Sequence, residues 1–79
     1  MKLTYDPRYN VAYIGLKEKV EEVETIHISD QLNVDLAPDG TIFGIELLNA
    51  NEQLAAMPER KLLLVNEELG KTTEVELPW

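Results

Sequence analysis

"LNVDLAPDGTIFGIELLNA" (residues 32–50) sets two apolar runs around a Pro-Asp-Gly turn, and each run carries one carboxylate. In the first run Leu32, Val34 and Leu36 alternate with Asn33 and Asp35, the period of a half-buried strand. "TIFGIELL" (41–48) reads as the return strand, with "APDG" (37–40) as a four-residue loop. That loop pairs Leu36 with Thr41, Val34 with Phe43 and Leu32 with Ile45. Leu32, Val34 and Leu36 then share a face with Phe43, Ile45 and Leu47; a one-residue slip would part the two sets. Asp35, opposite Ile42, and Glu46, opposite Gln31, fall on the other face, four residues or roughly 13 Å apart. Paired glycosidase carboxylates sit at roughly 5–9.5 Å. The register therefore predicts outward-facing acids, not an acid–base pair. Gly44, between them, marks a bulge or the close approach of another element.

The flanking segments read the same way. "KLTY" (2–5) and "VAYIGL" (11–16) are strands around the turn "DPRYN" (6–10), where Pro7 fixes φ. Tyr5 and Tyr13 are expected to pack across that hairpin. "KEKVEE" (17–22) is a charged, solvated connection. In "VETIHIS" (23–29), Ile26 and Ile28 face one way and Val23, Thr25, His27 and Ser29 the other; Asp30 and Gln31 turn the chain. "NANEQLAAMP" (49–58) has Asn49 and Glu52 at capping-box spacing and Pro58 as a stop, predicting one short helix at about 50–57. The tail (59–79) has two readings. "KLLLVN" and "TTEVEL" form a hairpin around Gly70, or residues 59–69 are helical. The β-character of "TTEVEL" favours the hairpin. Four successive apolar residues, Leu62–Val65, would point to both faces of such a strand, and a strand lodged between protomers accounts for that. The expectation is a single α+β domain: a mostly antiparallel β-meander, one short helix and a C-terminal β-hairpin.

Composition narrows the function. Seventy-nine residues bury a thin core, and the absence of cysteine excludes disulfide and thiolate-zinc staples. Self-association, most simply as a dimer, is the expected remedy. A formal charge of −8 opposes nucleic acid and anionic membranes and favours a basic protein partner. No apolar run approaches a membrane span of roughly 18 residues, "MKLTYDP" lacks a signal-peptide core, and the expected compartment is the cytoplasm.

Little in the chain points to chemistry. His27, the only histidine, and Ser29 lie about 6.6 Å apart along one strand. A nucleophile and its base need roughly 2.6–3.2 Å. "APDGTIFG" lacks phosphate-loop spacing, and no metal or cofactor site is read from the sequence. Tyr13, His27, Asp35, Glu46 and Trp79 form the candidate binding surface. Trp79 is there because a terminal tryptophan can anchor in a neighbour's pocket. The best reading is a non-enzymatic binding or assembly module, antitoxin-like in its most specific form. The alternative is a small metal-dependent or hydrolytic enzyme built on Tyr13, His27, Asp35 and Glu46.

Two motifs carry a family resemblance. "YDPRYNVAYIGL" follows the pattern Tyr-Asp-x-x-x-(Asp/Asn)-x-x-Tyr-Ile. The opening stretch adds apolar-(Asn/x)-apolar-Asp, an Asp-Gly turn and Gly-Ile-Glu-apolar-apolar-x-Ala. Together, over about residues 1–57, they resemble the family of domain of unknown function 2283. The matching positions are Tyr5, Asp6, Asn10, Tyr13, Ile14, Asp35, Asp39, Gly40, Gly44, Ile45, Glu46 and Ala50. The resemblance implies no catalytic residue, and Asn10 stands where the pattern often has Asp.

Overall fold

The computed structural model describes residues 1–18, 22–55 and 60–78. Five antiparallel strands make one sheet: β1 (Lys2–Asp6), β2 (Val11–Gly15), β3 (Glu24–Ser29), β4 (Leu32–Leu36) and β5 (Ile42–Leu48). A helix, α1 (Ala50–Ala55), follows, and then a separate hairpin of β6 (Lys61–Asn66) and β7 (Lys71–Glu76). The α+β architecture and the C-terminal hairpin are as the sequence predicts. The helix expected over 50–57 is described as far as Ala55; Met57 and Pro58 lie outside the described residues.

The sheet order is β1-β2-β5-β4-β3, so β2 lies beside β5 and not β3. β5 is the longest strand and almost wholly apolar, and the centre gives it hydrogen-bonded neighbours on both edges. The charged connection permits the jump. Crossing three strand spacings needs about 14 Å, and eight residues reach about 26 Å.

The β4–β5 register differs from the expected one by two residues. Val34 faces Ile45 and Leu32 faces Leu47. Two single-residue steps add up to this. Ala37 N–H donates to Thr41 O at 2.8 Å, which leaves a three-residue loop, Pro38-Asp39-Gly40, with Gly40 at φ +86°. The pairing then moves from Leu36↔Ile42 to Asp35↔Gly44, leaving Phe43 as an extra residue in a β-bulge. Two odd steps restore the parity, so the apolar residues of β4 still face Ile45 and Leu47. Phe43 does not join them as expected; it lines a hollow with Lys2, Thr4 and Tyr13. A similar step between His27 and Ser29 makes Ile28 the extra residue of β3, where it is exposed.

The turns at one end of the sheet are tied together through α1. Asn10 and Asn49 both adopt positive φ, +56° and +54°. Asn10 Oδ1 accepts from Asn51 N–H at 2.7 Å, and Asn10 Nδ2 donates to Asn49 Oδ1 and Asn51 Oδ1. The expected capping box is not made, because neither of its two side chain–backbone bonds forms between Asn49 and Glu52. Asn49 Nδ2 donates to the Glu52 carboxylate instead, and the side-chain acceptors of the first turn are Asn51 Oδ1, for Glu52 N–H, and Asn10 Oδ1, for Asn51 N–H 41 residues away. On the other side Gln53 Nε2 donates to Gln31 O in the β3–β4 turn. α1 therefore joins the β1–β2 hairpin to the β3–β4 hairpin.

The registers place Ile26, Val34, Ile45, Ile14 and Leu3 in one row across all five strands. None of these five side chains is fully buried. Among the described residues the buried apolar ones are Ala12, Ala37, Ala50 and Leu77, and no large side chain is fully enclosed. Every residue of β6 and β7 is exposed, on both faces of that hairpin.

If Asn10 caps α1, Asn10→Ala should lower stability by about 1–2 kcal/mol, read as a lower urea midpoint with unchanged slope. Asn10→Asp keeps the acceptor but loses both donors, and should fall between the two.

Candidate functional site

Alternation on β2, β3, β4 and β5 puts Tyr13, His27, Asp35 and Glu46 on one face, opposite the apolar row. His27 pairs with Asn33, Asn33 with Glu46, and Glu46 with Tyr13, which makes a polar row across four strands. Thr25, Asp35 and Gly44 form the next row, and Gly15 continues it on β2. The fold brings four of the five residues of the candidate binding surface together here. The fifth, Trp79, lies outside the described residues.

The real register corrects the distance argument. Asp35 and Glu46 stand two positions apart on neighbouring strands, about 7 Å along them, and not 13 Å. Separation alone therefore no longer sets them apart from a carboxylate pair. What does is the commitment of both Asp35 oxygens and of Glu46 Oε1. Tyr13 OH donates to Asp35 Oδ2 at 2.8 Å and Thr25 Oγ1 donates to Asp35 Oδ1 at 2.6 Å. Asn33 Nδ2 donates to Glu46 Oε1 at 3.2 Å, and Asn33 Oδ1 accepts from His27 Nδ1 at 2.9 Å. His27 Nε2 lies 3.9 Å from Asp30 Oδ1.

Tyr13 reaches Asp35 by crossing β5, and it crosses where β5 has no side chain. A Cβ added to Gly44 would overlap the Tyr13 hydroxyl and ring, and one on Gly15 would touch the same ring at 3.6 Å. Gly15 and Gly44 are register partners. They leave a lane in which the phenol lies flat on the backbone. The close approach expected at Gly44 is thus the Tyr13 ring. Partial burial, then the hydrogen bond to Asp35 and the charges of Asp35 and Glu46, push the phenol up to about 12. At neutral pH Tyr13 is a fixed proton donor, neither a base nor a nucleophile.

Ser29 acts as a turn residue, its Oγ accepting from Gln31 N–H. Asp39 caps its own turn through Thr41 N–H and Oγ1, hydrogen bonds that hold its carboxyl below the usual range. Among the described residues no group of three or more His, Cys, Asp or Glu side chains is placed to hold a metal ion. No described helix is long and apolar enough to cross a membrane. The polar face does one thing clearly: it fixes the relative positions of four strands with side-chain bonds added to the backbone ladder. Sequence reasoning missed Asn33 and Thr25 as members, although their alternation with Asp35 and His27 put them on the correct face.

Gly44→Ala and Tyr13→Phe should remove the same interaction. Each should cost about 1.5 kcal/mol, and the double variant about 1 kcal/mol less than the sum, read by urea unfolding. The folded phenol is raised above its unfolded value near 10, so the native state holds the extra proton between pH 10 and about 12. Its contribution is complete below pH 10 and fades as pH climbs towards 12. That alkaline loss should be smaller in Gly44→Ala.

No curated protein and no solved structure matches the chain. The model of DUF2283, described as a protein of unknown function, matches residues 2–51. The match takes in the five-stranded sheet and the first residues of α1, and stops short of the β6–β7 hairpin. With well over half of its residues inside that match, this chain belongs to the DUF2283 family of proteins of unknown function.

Proposed function

We propose that the chain is a non-enzymatic, self-associating assembly module that completes its hydrophobic core with a second copy. The observation that carries this reading is the absence, among the described residues, of any large side chain fully buried. Area supports it. A compact monomer of this mass exposes about 4,850 Å², whereas the chain exposes 6195 Å². The excess is about 1,300 Å² per copy, or roughly 2,700 Å² for two, within the range of obligate dimers. The radius of gyration, 14.1 Å, likewise exceeds the roughly 11.6 Å of a compact domain this long. An enzymatic reading is less well supported, because the carboxylates that would carry it are bound to Tyr13, Thr25 and Asn33.

The charge of −8 supports a second layer of function. With the apolar face occupied by a copy, the face bearing Asp35 and Glu46 is left for a basic protein, and an antitoxin-like role beside a small basic toxin is its specific form. Capture of one small basic protein from the native host, lost at high salt, would support it; recovery of the chain alone would remove it.

Light scattering at micromolar concentration should give twice the chain mass. Ile26→Asp, on the edge strand, should shift that mass towards the monomer with little change in circular dichroism. A wild-type monomer at these concentrations would overturn the proposal.

A further inference from the structure

We propose that in the dimer the β6–β7 hairpin of each copy lies across the apolar sheet face of the other. The inference rests on the self-association reading and names the segment that does the covering.

The two sides of the hairpin differ: one carries Leu62, Leu64 and Val75 at its open end with Thr73, Asn66 and Lys71 towards the turn, and the other carries Leu63 and Val65 among Lys61, Thr72, Glu74 and Glu76. Its register pairs Leu62 with Val75 and Leu64 with Thr73, so Leu62, Leu64 and Val75 share a face. Leu63 and Val65 share the other with Lys61, Glu74 and Glu76, and Lys61 Nζ lies 3.6 Å from Glu74 on that side. Both sides are exposed in their own chain; Leu62, Leu64 and Val75 remain 37%, 46% and 42% accessible. A lone two-stranded hairpin is marginal in water, so this one needs a surface to lie on.

Charge and size choose the surface. The polar sheet face presents Asp35 and Glu46, and the hairpin, with Glu67, Glu68, Glu74 and Glu76 against Lys61 and Lys71, has a net charge of the same sign, which disfavours that face as a whole. The opposite face presents Ile26, Val34, Ile45 and Ile14. Strands of six residues are about 20 Å long, close to the length of β5. Reciprocal exchange of identical hairpins closes on itself as a two-fold dimer, the commonest assembly of identical chains.

The two hairpin faces give the test. Leu62→Asp with Leu64→Asp should weaken the dimer about 100-fold or more, read by light scattering over a dilution series. Leu63→Asp with Val65→Asp, on the other face, should leave it within a few-fold of wild type. Placement is read separately. The chain has no cysteine, so Ile45→Cys and Leu64→Cys variants can be mixed and joined by a short bis-maleimide. A disulfide is too short for sheets packed about 10 Å apart. A mixed 45–64 product supports the exchange. A dimer giving only 45–45 product, or one that both hairpin variants leave intact, overturns the exchange but keeps self-association. A monomeric wild type overturns both. If Ile45→Cys fails to fold, Ile26→Cys on the edge strand takes its place with the same outcomes.

Discussion

Apolar surface left in water is unfavourable in proportion to its area, at about 25 cal/mol per Å². The row Ile26–Val34–Ile45–Ile14–Leu3 leaves such surface across a full sheet. The constraint is geometric: a single sheet layer has two faces, and each strand sends alternate residues to both. In this chain the polar face is finished and the apolar face is not. The polar side chains satisfy one another through Tyr13, Asp35, Thr25, Asn33, Glu46 and His27. The apolar side chains have half-buried or exposed neighbours and no covering layer among the described residues.

The polar network does structural work on its own face of the sheet. A reaction centre keeps acceptors poised for a substrate and tunes its groups towards neutrality. Here Tyr13 moves the other way, up to about 12, and both Asp35 oxygens hold hydroxyls. The network instead strengthens a sheet that cannot draw its rigidity from a packed core. Cross-strand pairs of this kind are worth a few tenths to about 1 kcal/mol each, which matters in a domain whose total stability is small.

The sequence made the faces legible but not the register. Period-two alternation assigns Leu32, Val34, Ile45 and Leu47 to one side under either pairing, because the true register differs by an even number. The count itself depended on two local events: Gly40 taking positive φ in a three-residue loop, and Phe43 bulging out of β5. Neither leaves a periodic mark. The Tyr13–Asp35 bond was hidden for another reason. It runs between strands that are not neighbours, over a glycine pair whose meaning appears only once β2 lies beside β5. The cap from Asn10 to α1 is equally remote in sequence, whereas Asn49 and Glu52 advertised a local box and made a side-chain pair in its place.

The positions that carried the family resemblance now have physical reasons. Asn10 caps α1 across the fold, Gly44 clears the lane for Tyr13, Asp39 and Gly40 shape the turn, and Ala50 is fully buried at the start of the helix. All of these act within the sheet and helix, and the matched region ends before β6. The matched region therefore corresponds to the sheet and the start of α1. Asn10 fits that view even where the pattern often has Asp. The Oδ1 acceptor for Asn51 N–H survives the exchange of one residue for the other, and only the two donor bonds to Asn49 and Asn51 are lost. The cap asks of position 10 an acceptor oxygen, which an amide and an acid both offer. A general base at this position would need the carboxylate.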